Sequence, residues 1–584
     1  MKKTLDQFAI AAALQEIAAL LELKGGKDRF KARAYQAGAR VIAGLTEDLD
    51  MLVEQERLTS KRGIGSALAS QIKQLYLTGS SSVLSQLRQE FPPGIIELSQ
   101  VPGLSIGKIR NLHQALGITS TADLKAAAEA GKIRGVKGFG LKSEEKLLQT
   151  LTNPRTQEDM RLHIHHAHRI GAQLMDYLQS GRGVVDVGLA GSIRRAQETV
   201  GTIQIVASAK GPSTLLEQFL RFPLIVQVED RSSESCTAVL AEGARVVLTV
   251  IKPSQYAWAL WRQTGAAAHL NKLQMTDRTL PELDLTSEKA FVSVSSKVKS
   301  KRTTKLSEEN FYRGLGMQYI APELREDAGE VEAALKGELP QDLVSLEDIQ
   351  GMVHCHTTYS DGKHTIHEMA RAADAMGMKY LTITDHSPTA FYAGGVTLDQ
   401  LKRQWDEIDE VQERVKVKIL KGTESDIVAD GSLDYPDRIL ETFDVIVASI
   451  HSRYKMDSAK MTRRLIAAMR QPVFKIWGHA LGRLIQRRPP FECDIERVLD
   501  VIAESRAAIE INGDPFRLDM EPRLLREARK RGIKFVISVD AHSTGALNNV
   551  KYGVGIARRG WVRKGEVLNT LGPKAFAKAV RPAG

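Results

Sequence analysis

The sequence predicts a multidomain protein: an all-α amino-terminal region, an α+β middle region and a carboxy-terminal α/β barrel of about seven units. Three observations predict it. At 584 residues the chain is too long for one hydrophobic core, and about three to four domains are expected. Up to about residue 150 the pattern is helical and repeats a tight glycine turn. From about residue 347 onward, apolar strand-like runs alternate with helical stretches, and His, Asp and Glu fall at or near the ends of the runs.

Composition narrows the function classes. Lys and Arg number 81 against 70 Asp and Glu, a net charge of +11. A basic balance fits a polyanionic partner, nucleic acid first, although many basic surfaces are merely solvated. Three cysteines, Cys236, Cys355 and Cys493, cannot build a disulfide framework, which points to a cytoplasmic protein. The stretch after Met1, Lys2 and Lys3 is rich in Ala and Leu, but Asp6, Gln7, Gln15 and Glu16 interrupt it. Ile10, Leu14, Ile17 and Leu21 recur at helical spacing, so it reads as an amphipathic core helix rather than a secretion signal. No run approaches membrane-spanning length.

The amino-terminal repeat has three copies, at 61–69, 101–108 and 136–143. Each is a glycine turn followed by an apolar-periodic helix. Glycine lets the backbone approach a phosphate, and the helix start offers free N–H groups and a positive dipole end. The candidate DNA-contacting residues are Gly63, Gly65, Gly103, Gly138, Gly140 and Lys142. One Gly-x-Gly is an ordinary turn. Three copies with flanking lysines resemble the helix–hairpin–helix module, which grips the DNA backbone without reading sequence. The second copy departs from the pattern, with Ser105 where its second glycine would lie.

The middle region alternates helical and strand-like stretches, with strands around 184–190, 202–207 and 245–251. Residues 297–305 read as a basic, Ser/Thr-rich loop, either solvated or touching DNA. Residues 327–346, acidic and then Leu339-Pro340, read as a helix and linker.

In the barrel, Gly351-Met352-Val353 runs into His354 and His356, with Asp361 in the following loop. Residues 380–384 run into Asp385 and His386, and 417–420 run toward Glu424. Residues 445–450 run into His451, 474–477 into His479, 508–511 into Asn512, and 535–539 into Asp540 and His542. In barrels of parallel strands, chemistry collects at these carboxy-terminal strand ends. Imidazoles and carboxylates without thiolates suit Zn, Mn or Fe, and nine donors exceed the roughly four to six that one ion needs. Two or three divalent ions sharing carboxylates are implied, a cluster able to clamp a phosphoryl group and lower the pKa of a water. A single strand-end His is usually structural; nine such residues on successive strand ends do not fit that explanation. Asp385 either orients a ligand imidazole or caps its strand. Arg483, Arg487 and Arg488, and Arg453 and Lys455, are either phosphate contacts near the metals or ordinary exposed charges. His364 and His367 fit no ligand position and read as surface residues.

Further segments identify the whole chain. They are 30–35, 191–195 with 199–201, 314–326, 353–356, 384–387 and 557–561. In this order and nearly end to end, the chain resembles the bacterial family X DNA polymerases (PolX), which join a polymerase-beta-like core to a carboxy-terminal PHP (polymerase and histidinol phosphatase) domain. The resemblance implies an N-terminal 8-kDa-like helical domain over 1–90, a fingers-like helix–hairpin–helix region over 91–155, and palm-like and thumb-like domains over 156–262 and 263–330. A linker over 331–346 and a distorted seven-unit PHP barrel over 347–584 complete it. His354, His356, Asp361, His386, Glu424, His451, His479, Asp540 and His542 each match the family's ligand pattern.

The polymerase site departs from that pattern. Nucleotidyl transfer needs carboxylates that hold two magnesium ions. The family's Asp-x-Asp positions are here Thr202 and Gln204, and its third aspartate is Val247. Neutral side chains cannot assemble the Mg²⁺ pair, so none is expected in the palm. A metal supplies several kcal/mol, and each ~1.36 kcal/mol is tenfold in rate, so templated synthesis should be lost. Gly191, Ser192 and Arg195 remain, either to dock a triphosphate or to pack the strand–turn–helix. The lysine expected for deoxyribose-phosphate removal is Gln71, with Lys73 roughly 200° around the helix.

The resemblance then implies a Mn²⁺-supported 3′→5′ exonuclease, with related 3′-phosphatase, 3′-phosphodiesterase or abasic-site endonuclease activity on gapped, nicked or 3′-damaged DNA. Residual gap filling and a non-catalytic DNA-end scaffold are the alternatives. A small-molecule phosphatase is chemically possible but has no need of the DNA-binding repeats. A cytoplasmic monomer without a membrane partner is expected.

Overall fold

The computed structural model describes residues 5, 7–24, 28–43, 49–61, 63–91, 94, 98, 101, 104, 106–152, 161–240, 243–276, 284–298 and 306–583. The chain forms two compact units. One comprises Met1–Arg161, Pro223–Gln227 and Val239–Ala244; the other comprises Leu162–Phe222, Val228–Ala238 and Arg245–Gly584. Among the described residues no helix is long and apolar enough to cross a membrane.

The first unit is dominated by helices. Gln7–Lys24 buries Ile10, Leu14, Ile17 and Leu21, the stripe that its periodicity predicts. Asp28–Ala43, Ser66–Thr78, Ser82–Glu90, Ile106–Leu116, Thr121–Glu129 and Leu141–Thr152 follow around one apolar core. Local chemistry sets their ends. Ser81 and Ser120 accept hydrogen bonds from the Leu84 and Asp123 amides at two helix starts. Glu144, buried in the first turn of Leu141–Thr152, accepts from the Arg134 amide at 2.8 Å and pairs with its guanidinium at 2.7 Å. That ion pair fixes the third glycine turn against its helix.

The second unit begins with β1 (Leu162–His163) and β3 (Thr199–Val200), an antiparallel pair. β2 (Val184–Ala190), β4 (Thr202–Ala209), β5 (Ile225–Arg231), β6 (Ser235–Leu240) and β7 (Arg245–Ile251) form a sheet in the order β2-β4-β7-β6-β5. A helical region follows, cored by Trp261, Phe291, Phe311 and Tyr312. Arg325 is buried there beside Glu308 at 2.6 Å.

Seven parallel strands form the barrel: β8 (Gly351–Cys355), β9 (Tyr380–Ile383), β10 (Lys418–Asp426), β11 (Val445–Ser449), β12 (Lys475–Trp477), β13 (Ala507–Asn512) and β14 (Phe535–Ser538). Each pairs with its neighbours in sequence. The Ala541 amide donates to the His354 carbonyl, and the His356 amide to the Ala541 carbonyl, both at 2.9 Å, which nearly closes the ring. Helices such as Ile366–Ala375, Leu398–Gln412, Ser458–Met469 and Val550–Arg559 cover the outside, so the strands are buried on both faces and read as continuous apolar runs.

Alternation along the strands makes the site. One set of side chains, including Leu381, Ile383, Ile446, Ala448, Ile509 and Ile537, packs under the helices. The other set, including Tyr380, Leu420, Val445, Val447, Ala508 and Val536, forms a separate inner cluster, with Phe576 stacked on Tyr380 at 4.6 Å. Following that inner parity toward the carboxy-terminal ends turns apolar residues into polar ones: His386 from Tyr380, Glu424 from Leu420, His451 from Val447, Glu510 from Ala508 and Asp540 from Val536. Gly351 is required where it stands, since an added Cβ would lie 2.3 Å from the Tyr380 ring.

Candidate metal centre

Glu424, wholly buried near the end of β10, is the middle of the cluster. Its Oε1 lies 3.2 Å from His354 Nε2, 3.3 Å from His451 Nε2 and 2.8 Å from His479 Nε2. Its Oε2 lies 2.9 Å from His386 Nδ1 and 3.6 Å from His356 Nε2. Asp540 Oδ1 lies 3.1 Å from His356 Nε2 and 3.5 Å from His354 Nε2. Asp361 Oδ1 lies 3.1 Å from His542 Nε2 and 3.6 Å from His386 Nε2. The ligand atoms fall into three overlapping groups, each within 4.8 Å: His356, Asp361, His386 and His542; His354, His356, Glu424 and Asp540; His386, Glu424 and His451. Every sequence-predicted ligand except His479 belongs to a group, and His479 packs beside them against Glu424.

The donors fit divalent ions. His356 Nδ1 and His479 Nδ1 are buried without a hydrogen-bond partner, and His354 Nε2, His356 Nε2, His386 Nδ1, Glu424 Oε2 and Asp540 Oδ1 are buried with only one another, poorly aligned, for partners. Buried polar atoms are normally well paired, and so many converging, ill-satisfied ones mark a site built for cations. The backbone is strained in the same place. His354, His479 and Asp540 hold φ of 63°, 26° and 49°, and the β8–β9 register shifts between Met352 and Cys355.

Electrostatics favours ionised carboxylates. Burial opposes the charge on Glu424, yet His451, His354 and His386 hold its pKa well below the usual range. Asp540 behaves likewise against His354, His356 and Arg517. In return, burial notwithstanding, Glu510, Glu424 and Asp540 raise His354, while carboxylate neighbours lift His451 and His542 to about 9. Burial pushes His356 down to about 3 and His479 to about 4.

Three residues that sequence reasoning did not single out position the donors. Glu510 on β13 accepts from His354 Nδ1 at 2.5 Å, from the Ser538 hydroxyl and from the His479 amide. Asp426 on β10 bonds His451 Nδ1. Such carboxylate–imidazole pairs fix the tautomer of a ligating histidine. Arg517 Nε pairs with Asp540 Oδ2 at 3.0 Å, and its Nη1 is buried without a partner. A signal for the first two was available, since Asp426 and Glu510 lie at i±2 from Glu424 and Asn512 on the inner face.

Two expected roles are corrected. Asp385 orients no imidazole: its carboxylate accepts from the Thr357 amide at 2.7 Å and hydroxyl at 2.6 Å, from Ser360 Oγ at 2.5 Å and from Gln404 Nε2 at 2.7 Å. It pins the loop that carries Asp361. Arg483 is buried, and its guanidinium is taken by Asp519 at 3.0 Å, by Glu198 and Glu521 at 3.4 Å and by the Arg517 and Leu518 carbonyls. Fully engaged in that way, it serves packing instead of reaching a reacting group. Arg453 and Lys455 are exposed two and four residues past His451. Arg487 is exposed and stacks on Phe516 at 5.3 Å, and Arg488 stacks on Tyr454 at 3.8 Å. His364 and His367 join no ligand group.

At the positions where the resemblance places polymerase carboxylates, Gln204 and Val247 are cross-strand partners on β4 and β7, with Thr202 two residues before Gln204. The Gln204 side chain lies over Gly191, whose φ is +63°, so that an added Cβ would meet it. Glu198 is held by Arg559 at 2.9 Å, and Arg195 by Glu326 at 3.2 Å and the Thr264 carbonyl at 2.7 Å. Lys73 pairs with Glu56 at 2.8 Å.

In the first unit, Gly63 and Gly138 adopt φ of +100° and +93°, which a side chain would resist. Gly65 is the N-cap of Ser66–Thr78, Gly140 directly precedes Leu141–Thr152, and Lys142 is exposed at that helix start. Gly103 and residues 299–305 of the basic loop lie outside the described residues.

Comparison with known proteins matches residues 353–514 to the PHP domain family and 6–81 to a helix–hairpin–helix domain family. The chain is 35% identical over 575 residues to the DNA polymerase/3′-5′ exonuclease PolX of Bacillus subtilis (strain 168), covering 97% of this chain and 99% of that protein. It is 33% identical over 207 residues to a probable phosphatase of Caldanaerobacter subterraneus subsp. tengcongensis, covering 32% of this chain and 74% of that one. A probable phosphatase of Thermoanaerobacter pseudethanolicus is 29% identical over 235 residues, covering 37% and 89%.

Proposed function

Since the chain belongs to the PolX family, we propose that it is a DNA-processing enzyme whose working centre is the PHP barrel, a metal-dependent 3′→5′ exonuclease and 3′-end phosphoesterase, and that its palm no longer polymerises. One observation carries the reading: buried imidazoles and carboxylates converge on one another in the barrel, while the three palm positions hold an amide, a hydroxyl and an isopropyl group.

His354, His356, Asp361, His386, Glu424, His451, His479, Asp540 and His542 would hold two or three divalent ions, manganese first, with zinc and iron also suited to the donor set. Bound there, such ions supply Lewis acidity toward phosphoryl oxygens and lower the pKa of an attacking water. Glu510 and Asp426 keep the His354 and His451 imidazoles aimed, and Arg517 keeps Asp540 ionised and in place. Asp385 holds the Asp361 loop in place.

The remaining domains follow the division 1–90, 91–155, 156–262, 263–330, 331–346 and 347–584. The helical repeats, through Gly63, Gly65, Gly138, Gly140 and Lys142, and the palm-like and thumb-like parts present a gapped, nicked or 3′-damaged end. Arg453 and Arg487 contribute phosphate contacts at the barrel. The protein is taken to act as a cytoplasmic monomer.

The test is resection of a 5′-labelled oligonucleotide with Mn²⁺, comparing the intact chain with His354→Ala. Shortening from the 3′ end that disappears in the variant supports the proposal; undiminished cutting rejects it.

A further inference from the structure

Phe391 is 86% exposed, more than any other large apolar side chain among the described residues, and its neighbour Tyr392 is 69% exposed. Scattered exposed aromatics are ordinary. These two are adjacent, and they stand beside the metal-ligand cluster. The Tyr392 ring centroid lies 6.1 Å from that of His386 and 6.2 Å from that of His451, tilted by 63° and 55°.

The turn that carries them is anchored to the same cluster. Phe391–Ala393 is a single 3-10 turn ended by Gly394 at φ +68°. The Val396 amide donates to the His386 carbonyl at 2.8 Å, and the Gly395 amide to the Ala390 carbonyl at 3.1 Å. Thr389 Oγ1 bonds Oδ2 of Asp426 at 3.1 Å, the carboxylate whose other oxygen binds His451. A Cβ at Gly395 would lie 2.0 Å from the Ser387 carbonyl oxygen, so the loop is packed tightly onto the end of β9. The rings are therefore displayed from a braced support. Positive charge lies past His451, with Arg453 and Lys455 exposed and Arg488 stacked on Tyr454.

Aromatic faces together with basic side chains make a platform for single-stranded nucleic acid: bases stack on the rings, and cations track the phosphates. We infer that Phe391 and Tyr392 stack on the base of the terminal nucleotide and so make the centre discriminate ends that carry a base from ends that lack one. The inference rests on the nuclease reading above. Stacking is indifferent to base identity, which suits an activity that must remove any nucleotide.

The experiment uses duplexes ending in one unpaired 3′ nucleotide, carrying either thymine or an abasic analogue, with Mn²⁺ and the full chain. The intact protein is expected to cut the thymine end at least about ten-fold faster in kcat/KM than the abasic end. Phe391→Ala and Tyr392→Ala should erase that preference by slowing the thymine end, and Phe391→Trp should retain it; melting curves check that each variant is folded. Equal rates on both ends by the intact chain would overturn the inference and leave the nuclease reading standing. Failure to cut either end would overturn the nuclease reading and the inference with it. A base preference that survives Phe391→Ala, with a changed sedimentation coefficient, would assign the surface to a protein contact and overturn the inference.

Discussion

Gln204 on β4 and Val247 on β7 face each other as direct cross-strand partners, so two of the three positions where the resemblance places magnesium-holding aspartates meet without a negative charge. Glu198 cannot substitute, because Arg559 and Arg483 already hold it. The expected outcome is no primer extension by purified protein with Mg²⁺ and four deoxynucleoside triphosphates. Gln204→Asp alone should remain inactive, since one carboxylate cannot hold two ions. Templated extension by the intact chain that persists in His354→Ala would contradict this account.

Glu424 touches five histidines, whereas Glu510 reaches the donor set through His354 and the His479 amide. Glu424→Gln should therefore lose bound metal outright and lower 3′-end resection by about 10³-fold or more, equivalent to ~4 kcal/mol. Glu510→Gln should weaken metal affinity by roughly 10–100-fold, the usual cost of removing an orienting partner. Metal analysis after dialysis, with Mn²⁺ titrations of activity, reads both. Wild-type affinity in Glu510→Gln would remove its orienting role.

Metal uptake should release protons. Carboxylate neighbours raise His354 and lift His451 and His542 to about 9, so these imidazoles carry protons in the stripped protein at pH 7. A ligating imidazole must be neutral, so affinity for Mn²⁺ should rise with pH up to about 9. Adding Mn²⁺ to chelator-stripped protein in weak buffer at pH 7 should acidify the solution. No acidification would mean that the histidines are already neutral.

Lys142 is exposed at the start of Leu141–Thr152, beside the third glycine turn. If it meets one DNA phosphate, Lys142→Ala should weaken binding to all sequences alike. It should also reduce the slope of log K against log salt by about 0.9. Fluorescence anisotropy at several salt concentrations checks it, and an unchanged slope would remove Lys142 from the interface.

The barrel was legible because parallel strands buried on both faces read as unbroken apolar runs, and because most runs lead to a donor such as His386 or Asp540. Glu510 and Asp426 were missed for a related reason. They lie inside strands, where a carboxylate looks like an interruption until the inner parity is followed. Arg483 was misread because its partners are distant in sequence: Glu198 lies 285 positions away, and no local pattern reveals that a charge is consumed there. The Asp385 role depended on which way one carboxylate turns, toward Thr357 and Ser360 or toward His386, and strand spacing leaves that open.

Glu198 gives a pH-dependent test of the joint between the five-stranded sheet and the barrel. Its carboxylate is 19% exposed and pairs with Arg559 at 2.9 Å and Arg483 at 3.4 Å. Burial opposes its charge, but the two guanidinium groups hold its pKa below the ordinary 4.5. A carboxyl whose folded pKa is lowered stabilises the fold above its unfolded value and loses that contribution as pH falls through the folded value. At pH 7, Glu198→Gln should cost about 1–3 kcal/mol, moderated because Arg559 keeps Glu326 and Arg483 keeps Asp519. The gap between variant and intact protein should narrow as pH drops below about 4.5, the ordinary carboxyl value. Denaturation midpoints of metal-free protein at pH 7, 5 and 4 read this directly. A gap that stays constant across that range would mean that Glu198 contributes through its shape and hydrogen bonds, with no part played by its charge.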